Sequence, residues 1–113
     1  MRVLVCGSRH FTDYELLKET LDAYEISTLI EGEARGADTL ARTYAERRGV
    51  DVLPFPARWS EHGKAAGPIR NTQMLKEGIP ELVIAFRGPN SRGTQNMIDQ
   101  AVKAGVEVKI VEI

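Results

Sequence analysis

Four times along this chain a short apolar run breaks at a turn marked by glycine, and helical spacing follows. That alternation constrains the fold more than any other feature, because strands alternating with helices build a parallel sheet covered on both faces. The second repeat, Thr28 to Asp38 with sequence TLIEGEARGAD, shows the design most compactly. Thr28, Leu29 and Ile30 suit a buried strand, Gly32 and Gly36 allow a sharp turn, and the next helix starts with its amides free at the strand end. Such amides carry partial positive charge and form a ready-made anion site, to which Arg35 adds a full charge. One turn of this kind is only what any α/β protein needs for its connections, since fold does not fix function. The same design in three further turns is what points to a ligand.

Taken in order, Arg2 to Cys6 is a strand ended by Gly7, and after Asp13 the residues Leu16, Leu17, Thr20 and Leu21 share one helical face. Asp13 or Thr12 can cap that helix. The helix after the second strand carries Leu40, Ala41, Tyr44 and Ala45 inward and stops at Gly49. Asp51 to Phe55 is a third strand, placed at a sheet edge by Pro54 and the following Pro56, because proline cannot donate to a ladder. Ala57 to Gly67 reads as the longest loop, and Pro68 opens a third helix that uses Ile69, Thr72, Met74 and Leu75 for packing before Gly78. Leu82 to Phe86 is the most continuously apolar strand and therefore central. Gly88 to Thr94 turns into a fourth helix with Met97, Ile98, Ala101 and Val102 inward, ended by Gly105. Val106 to Val111 alternates apolar and charged residues, as an edge strand does. The expectation is an α/β, Rossmann-like three-layer sandwich, one domain over residues 1–113, with a five-stranded parallel sheet of order 3-2-1-4-5 and four helices. Chain direction across such a sheet reverses between strands one and four, and ligands bind outside the carboxyl ends at that switch point.

Formal net charge is −1, which argues against a protein built to coat duplex DNA or an anionic membrane. The charge is unevenly placed, however. The strand-to-helix turns, Gly7–Phe11, Glu31–Asp38, Pro56–Asn71 and Arg87–Thr94, hold seven of the 15 basic residues and four of the 16 acidic ones. A positive rim around a cleft steers anions inward, and phosphate is the expected anion. Arg9, Arg35, Arg70 and Arg92 stand beside glycine turns or helix starts and suit bidentate phosphate contacts, whereas Arg58 and Arg87 read equally well as solvated surface. Ser8, Asn71 and Thr94 offer short polar side chains for ribose or phosphate oxygens, with helix capping as the competing role for Thr94. Trp59 reads either as a base-stacking group or as an anchor for its loop, and His62 as a general base or phosphate partner, with a solvent-facing residue the stronger reading because no carboxylate is identified to orient it. Lys64, Asp38 and the glycines Gly7, Gly32, Gly36, Gly67, Gly88 and Gly93 complete the expected binding set.

Neither a metal nor a cofactor is expected: His10 and His62 lie in different turns without ligand spacing, and acidic clusters of metal type are absent. The single cysteine, Cys6, lies in an apolar strand and reads as a buried, reduced thiol. No apolar run approaches membrane-spanning length and the first residues read as strand rather than signal peptide, so no membrane partner and a cytoplasmic location are expected. There is no nucleophile elbow, the Gly88–Thr94 turn lacks the lysine of a P-loop, and GSRHF departs from the GxGxxG dinucleotide fingerprint.

GSRHFTD at Gly7 to Asp13, EGEARGAD at Glu31 to Asp38, HGKAAGPIRN at His62 to Asn71 and GPNSRGT at Gly88 to Thr94 together resemble the YspA/YpsA-related branch of the SLOG superfamily. That superfamily also includes the LOG phosphoribohydrolases and the DprA-like DNA-processing proteins. The resemblance implies a Rossmann-like sheet with a pocket for nucleotides or nucleotide-derived ligands such as ADP-ribose. LOG-type enzymes use a glutamate within PGGxGTxxE, and aligning Gly93 and Thr94 with its GT places Met97 at that position. A thioether cannot carry a proton, so Glu31 or Glu33 would have to act in its place. The leading expectation is therefore a module that binds a nucleotide-derived anion as sensor or sequestering protein. The alternatives are an enzyme cleaving a nucleotide at its glycosidic or phosphate linkage, and a single-stranded nucleic-acid binder. Two edge strands leave homo-oligomer formation open.

Overall fold

A computed structural model describes residues 1–113. Strands β1 (Arg2–Gly7), β2 (Thr28–Glu31), β3 (Asp51–Pro54), β4 (Leu82–Arg87) and β5 (Glu107–Glu112) pair in parallel in the order β3-β2-β1-β4-β5. The long helices are α1 (Tyr14–Leu21), α2 (Ala37–Arg48), α4 (Ala66–Gly78) and α5 (Arg92–Lys103). Between β3 and α4 the expected loop holds a single-turn helix, α3 (Trp59–His62), and a 3-10 turn over Gly63–Ala65, so α4 begins two residues before Pro68.

The apolar runs work because successive strand residues face opposite sides of the sheet. Val3 and Val5 of β1 join Leu82, Ile84 and Phe86 of β4 under α1 and α2, while Leu4, Cys6, Val83 and Ala85 face α4 and α5. Central strands covered on both faces have no polar side, hence LVIAF. Pro54 lies at the end of edge strand β3, paired with Glu31. Asp13 caps α1 by accepting from the Leu16 amide at 3.1 Å, which leaves Thr12 outside that role.

Two inward assignments fail. Ile69 and Val102 are exposed, because the buried stripe of α4 runs through Gly67, Asn71, Met74 and Gly78 and that of α5 through Thr94, Met97, Ile98 and Ala101. At 100° per residue, Ile69 falls on the far side of the first stripe and Val102 at the margin of the second. Ile110 of β5 is likewise exposed rather than packed.

Candidate functional site

Every strand-to-helix turn lies on the carboxyl edge, and close approach of backbone to backbone binds the turns into one floor. A Cβ at Gly7 would overlap the Phe86 carbonyl oxygen and the Ala37 side chain, and one at Gly36, where φ is +74°, would overlap the Ser8 carbonyl and Arg9 main chain. Gly88 packs on the Ser8 side chain, within 3.2 Å of where its own Cβ would stand. The β1 and β4 turns are tied by the Ser8 amide donating to Phe86 O at 3.0 Å, and the β1 and β2 turns by the Ala37 amide donating to Ser8 O at 3.2 Å. Phe11 stacks on Phe86 with ring centroids 4.9 Å apart, fixing the exit of β1 from below.

The β2 turn is shaped by two buried carboxylates. Asp38 accepts from the Gly32 amide (2.9 Å) and the Ala34 amide (3.3 Å), and Glu31 accepts from the Glu33 amide (2.9 Å). Glu31 is only 1% exposed, and its Oε2 has no hydrogen-bond partner, with Arg42 at 3.6 Å. Burial, and then the nearby Asp38 charge, push the Glu31 carboxyl up to about 7. Burial likewise raises Asp38 to about 6 against the pull of the Ala34 amide and the Arg70 guanidinium. Cys6 beneath them is a buried free thiol, and desolvation drives its pKa strongly upward, which keeps it protonated and unreactive.

Among the residues expected to contact ligand, several instead hold the site together. Arg70 Nη1 reaches across to the Gly32 carbonyl (2.5 Å) and its Nε donates to Asn71 Oδ1 (3.0 Å). Asn71 Nδ2 in turn donates to the Gly93 carbonyl (3.2 Å) and to Asn96 Oδ1 (3.1 Å). Through these two side chains α4 clamps the β2 turn on one side and the start of α5 on the other. Asn71 is buried with both its oxygen and its nitrogen engaged, whereas buried Asp38 commits Oδ2 to the two amides and leaves Oδ1 without a hydrogen bond. Ser8 Oγ accepts from the His10 amide at 3.1 Å, and Ser91, rather than Thr94, occupies the N-cap position of α5.

Other groups remain unclaimed. Arg9, Arg35, Lys64 and Arg92 are exposed and form no ion pair. Arg58 stands 3.7 Å from Glu61, and Arg87 is bound to Glu112 and Gln95. Neither α2 nor α5 has a side-chain cap, and the amides of Asp38, Thr39, Gly93 and Thr94 donate to nothing in the chain. Glu33 is exposed and engaged by Arg42 at 2.9 Å. His62 lies 3.7 Å from Glu61.

Two grooves open on this edge. One of about 190 Å³ lies between the β3-to-α4 connection and α4, lined by Pro56, Arg58, His62, Ala66, Ile69, Arg70 and Gln73. The other, of about 300 Å³, runs along the start of α5 and is lined only by Arg87, Gly88, Asn90, Ser91, Arg92 and Gln95. Trp59, half exposed, follows the groove residue Arg58 in sequence but does not itself line the groove. No group of three His, Cys, Asp or Glu side chains is placed to hold a metal ion, and no helix is long and apolar enough to cross a membrane.

Residues 1–62 match the YspA, cpYpsA-related SLOG family. Over 117 aligned residues the chain is 35% identical to the Gene 61 protein of Mycobacterium phage D29, covering 95% of this chain and 93% of that protein. The X-ray structure of DNA processing protein A (DprA) from Streptococcus pneumoniae shares the fold, with a TM-score of 0.80 at 18% identity over 96% of this chain. The present chain spans about half of DprA, 49% of its length. With the family match extending over more than half of its residues and a relative aligned along nearly its whole length, the chain belongs to the YspA, cpYpsA-related SLOG family.

Proposed function

We propose that residues 1–113 form a domain that captures a nucleotide-derived phosphorylated ligand, an ADP-ribose-like molecule or a nucleoside phosphate, as a sensor or sequestering module. The observation that carries the reading is the coincidence, on adjoining turns, of three unpaired arginines and four unclaimed helix-start amides. Amides and guanidinium groups together offer directional donors and charge to a phosphate, and the two uncapped helices start on either side of the switch between β1 and β4. Family membership supports a nucleotide-related ligand.

Binding without turnover fits the carboxylates better than hydrolysis does. Met97, at the position of the LOG glutamate, is fully buried in the core beneath α5. Glu31 has a pKa suited to proton transfer but no exposed oxygen, and Glu33 is held by Arg42. Under this reading the protein acts in the cytoplasm, and β3 and β5 are the edges through which copies would associate. A continuous basic track, which a single-stranded nucleic acid would need, is not supported by a net charge of −1. Calorimetric titration with ADP-ribose, AMP, NAD and inorganic phosphate tests the proposal, with chromatography of the recovered ligand alongside. Saturable heat with intact ligand is the expected result. No heat with any of the four overturns it, and product formation replaces binding by catalysis.

A further inference from the structure

Trp59 is the only tryptophan in the chain and is 52% exposed, while Phe11, Phe55, Phe86 and Tyr44 are all buried. An anchor for the β3-to-α4 connection would be buried like those rings, since an indole left half in water forgoes much of its hydrophobic stabilisation. The residue is nonetheless held in place. It opens α3, whose turn closes through the Glu61 and His62 amides on the Arg58 carbonyl and the Gly63 amide on the Trp59 carbonyl. The far edge of the indole, Cη2, stands 3.5 Å from where a Cβ at Gly67 would lie, so the ring rests over the buried first turn of α4. Arg58, just before it, and His62, at the far end of α3, line the smaller groove together with Arg70, and the indole stands outside that lining. The groove's volume of about 190 Å³ is below the roughly 300–1,000 Å³ of a site that encloses a whole ligand. It leaves room for only part of a ligand, next to the Arg58 and Arg70 guanidinium groups.

We propose that Trp59 is the stacking platform for the base of the ligand, so that the protein selects nucleotides over phosphosugars. The inference rests on the nucleotide reading above and adds which part of the ligand goes where: phosphate at the starts of α2 and α5, base on the indole. An exposed aromatic face accepts any base, because every base has a π-face. Arg58 and Arg70 in the adjoining groove, against the single Glu61 carboxylate 3.7 Å from Arg58, leave a positive balance that complements an anionic nucleotide and disfavours a cationic partner.

A chain with one tryptophan reports on this site directly. Fluorescence is followed during titration with AMP, ribose 5-phosphate and inorganic phosphate, with calorimetry on the same samples. AMP is expected to quench Trp59 and to bind roughly ten-fold or more tightly than ribose 5-phosphate, the scale of one base stacked on one aromatic ring. Trp59→Ala is expected to bring AMP down to the affinity of ribose 5-phosphate while leaving ribose 5-phosphate unaffected, and Trp59→Phe to retain most of the AMP affinity. The variants are first shown to keep the parent Tm. Calorimetric AMP binding with no change in fluorescence and undiminished affinity in Trp59→Ala overturns the stacking role and leaves the phosphate site standing. Absence of heat with all three probes overturns both. Quenching only by an added protein fraction, with AMP inert, assigns the indole to a protein partner and likewise refutes the inference.

Discussion

At the amino end of the sheet Arg2 donates to the Gly78 carbonyl (2.8 Å from Nε) and Arg48 pairs with Asp22 (2.8 Å), whereas at the carboxyl end Arg9, Arg35 and Arg92 pair with nothing. Asp22 collects Tyr44, Lys18 and Arg48 around one carboxylate, and the Tyr44 hydroxyl above all holds its pKa down. The glycines differ in the same way. Gly49 and Gly105 end helices with positive φ and open space where a Cβ would go, while Gly36 has positive φ with backbone pressed against it. One end closes its own interactions, and the other holds its shape through Gly–backbone contacts and the Arg70 and Asn71 clamps while leaving charge and amides uncommitted. An anion entering there gains donors that no other part of the chain uses.

The glycines offer the harshest test. Gly36→Ala should cost more than about 3 kcal/mol, from left-handed strain plus overlap with Ser8, and lower Tm by more than about 10 °C or prevent recovery of soluble protein. Gly105→Ala should cost only about 1 kcal/mol, or roughly 4 °C, by thermal melt. Equal losses would erase the contrast. Among the arginines, Arg92→Ala should weaken phosphate or AMP binding roughly ten-fold in calorimetry with Tm changed by less than about 2 °C. Arg48→Ala, at the opposite end, should leave binding intact and lower Tm by no more than about 2 °C, as for an exposed pair.

The gentlest prediction concerns pH. Glu31 and Asp38 have folded pKa values of about 7 and about 6, above the unfolded carboxylate range. The folded state therefore holds protons that the unfolded state releases. Their stabilising contribution is complete below about pH 4 and is lost as pH rises through 6 and 7. Tm should fall between about pH 5 and pH 8, and Glu31→Gln should flatten that slope. An unchanged slope would show that the buried carboxyl does not titrate in this window.

Strand order was readable because its causes are local: unbroken apolar runs mark strands covered on both faces, and Pro54 and the alternation after Gly105 mark edges. The convergence of turns followed from topology. The division of labour within the site was not readable. Arg70 and Asn71 reach main-chain carbonyls at Gly32 and Gly93, 38 and 22 residues away, and a carbonyl leaves no trace in residue identity. Asp38 looked like a ligand group because its own partners are amides. The four residues of α3 are too few to show a helical repeat. Glu31, by contrast, stands out in the sequence alongside Glu33 as a candidate acid, and its place at the end of a buried apolar strand is what separates the two in the fold.

The fit between Gly32 and Arg70 has a consequence for how this sequence can drift. A Cβ at position 32 would occupy the space of the guanidinium, and shortening position 70 would leave the Gly32 carbonyl without its donor. Either change alone is penalised, while a larger residue at 32 with a smaller one at 70 restores the volume. The two positions are thus coupled across 38 residues of chain, and homologues should inherit them as a unit.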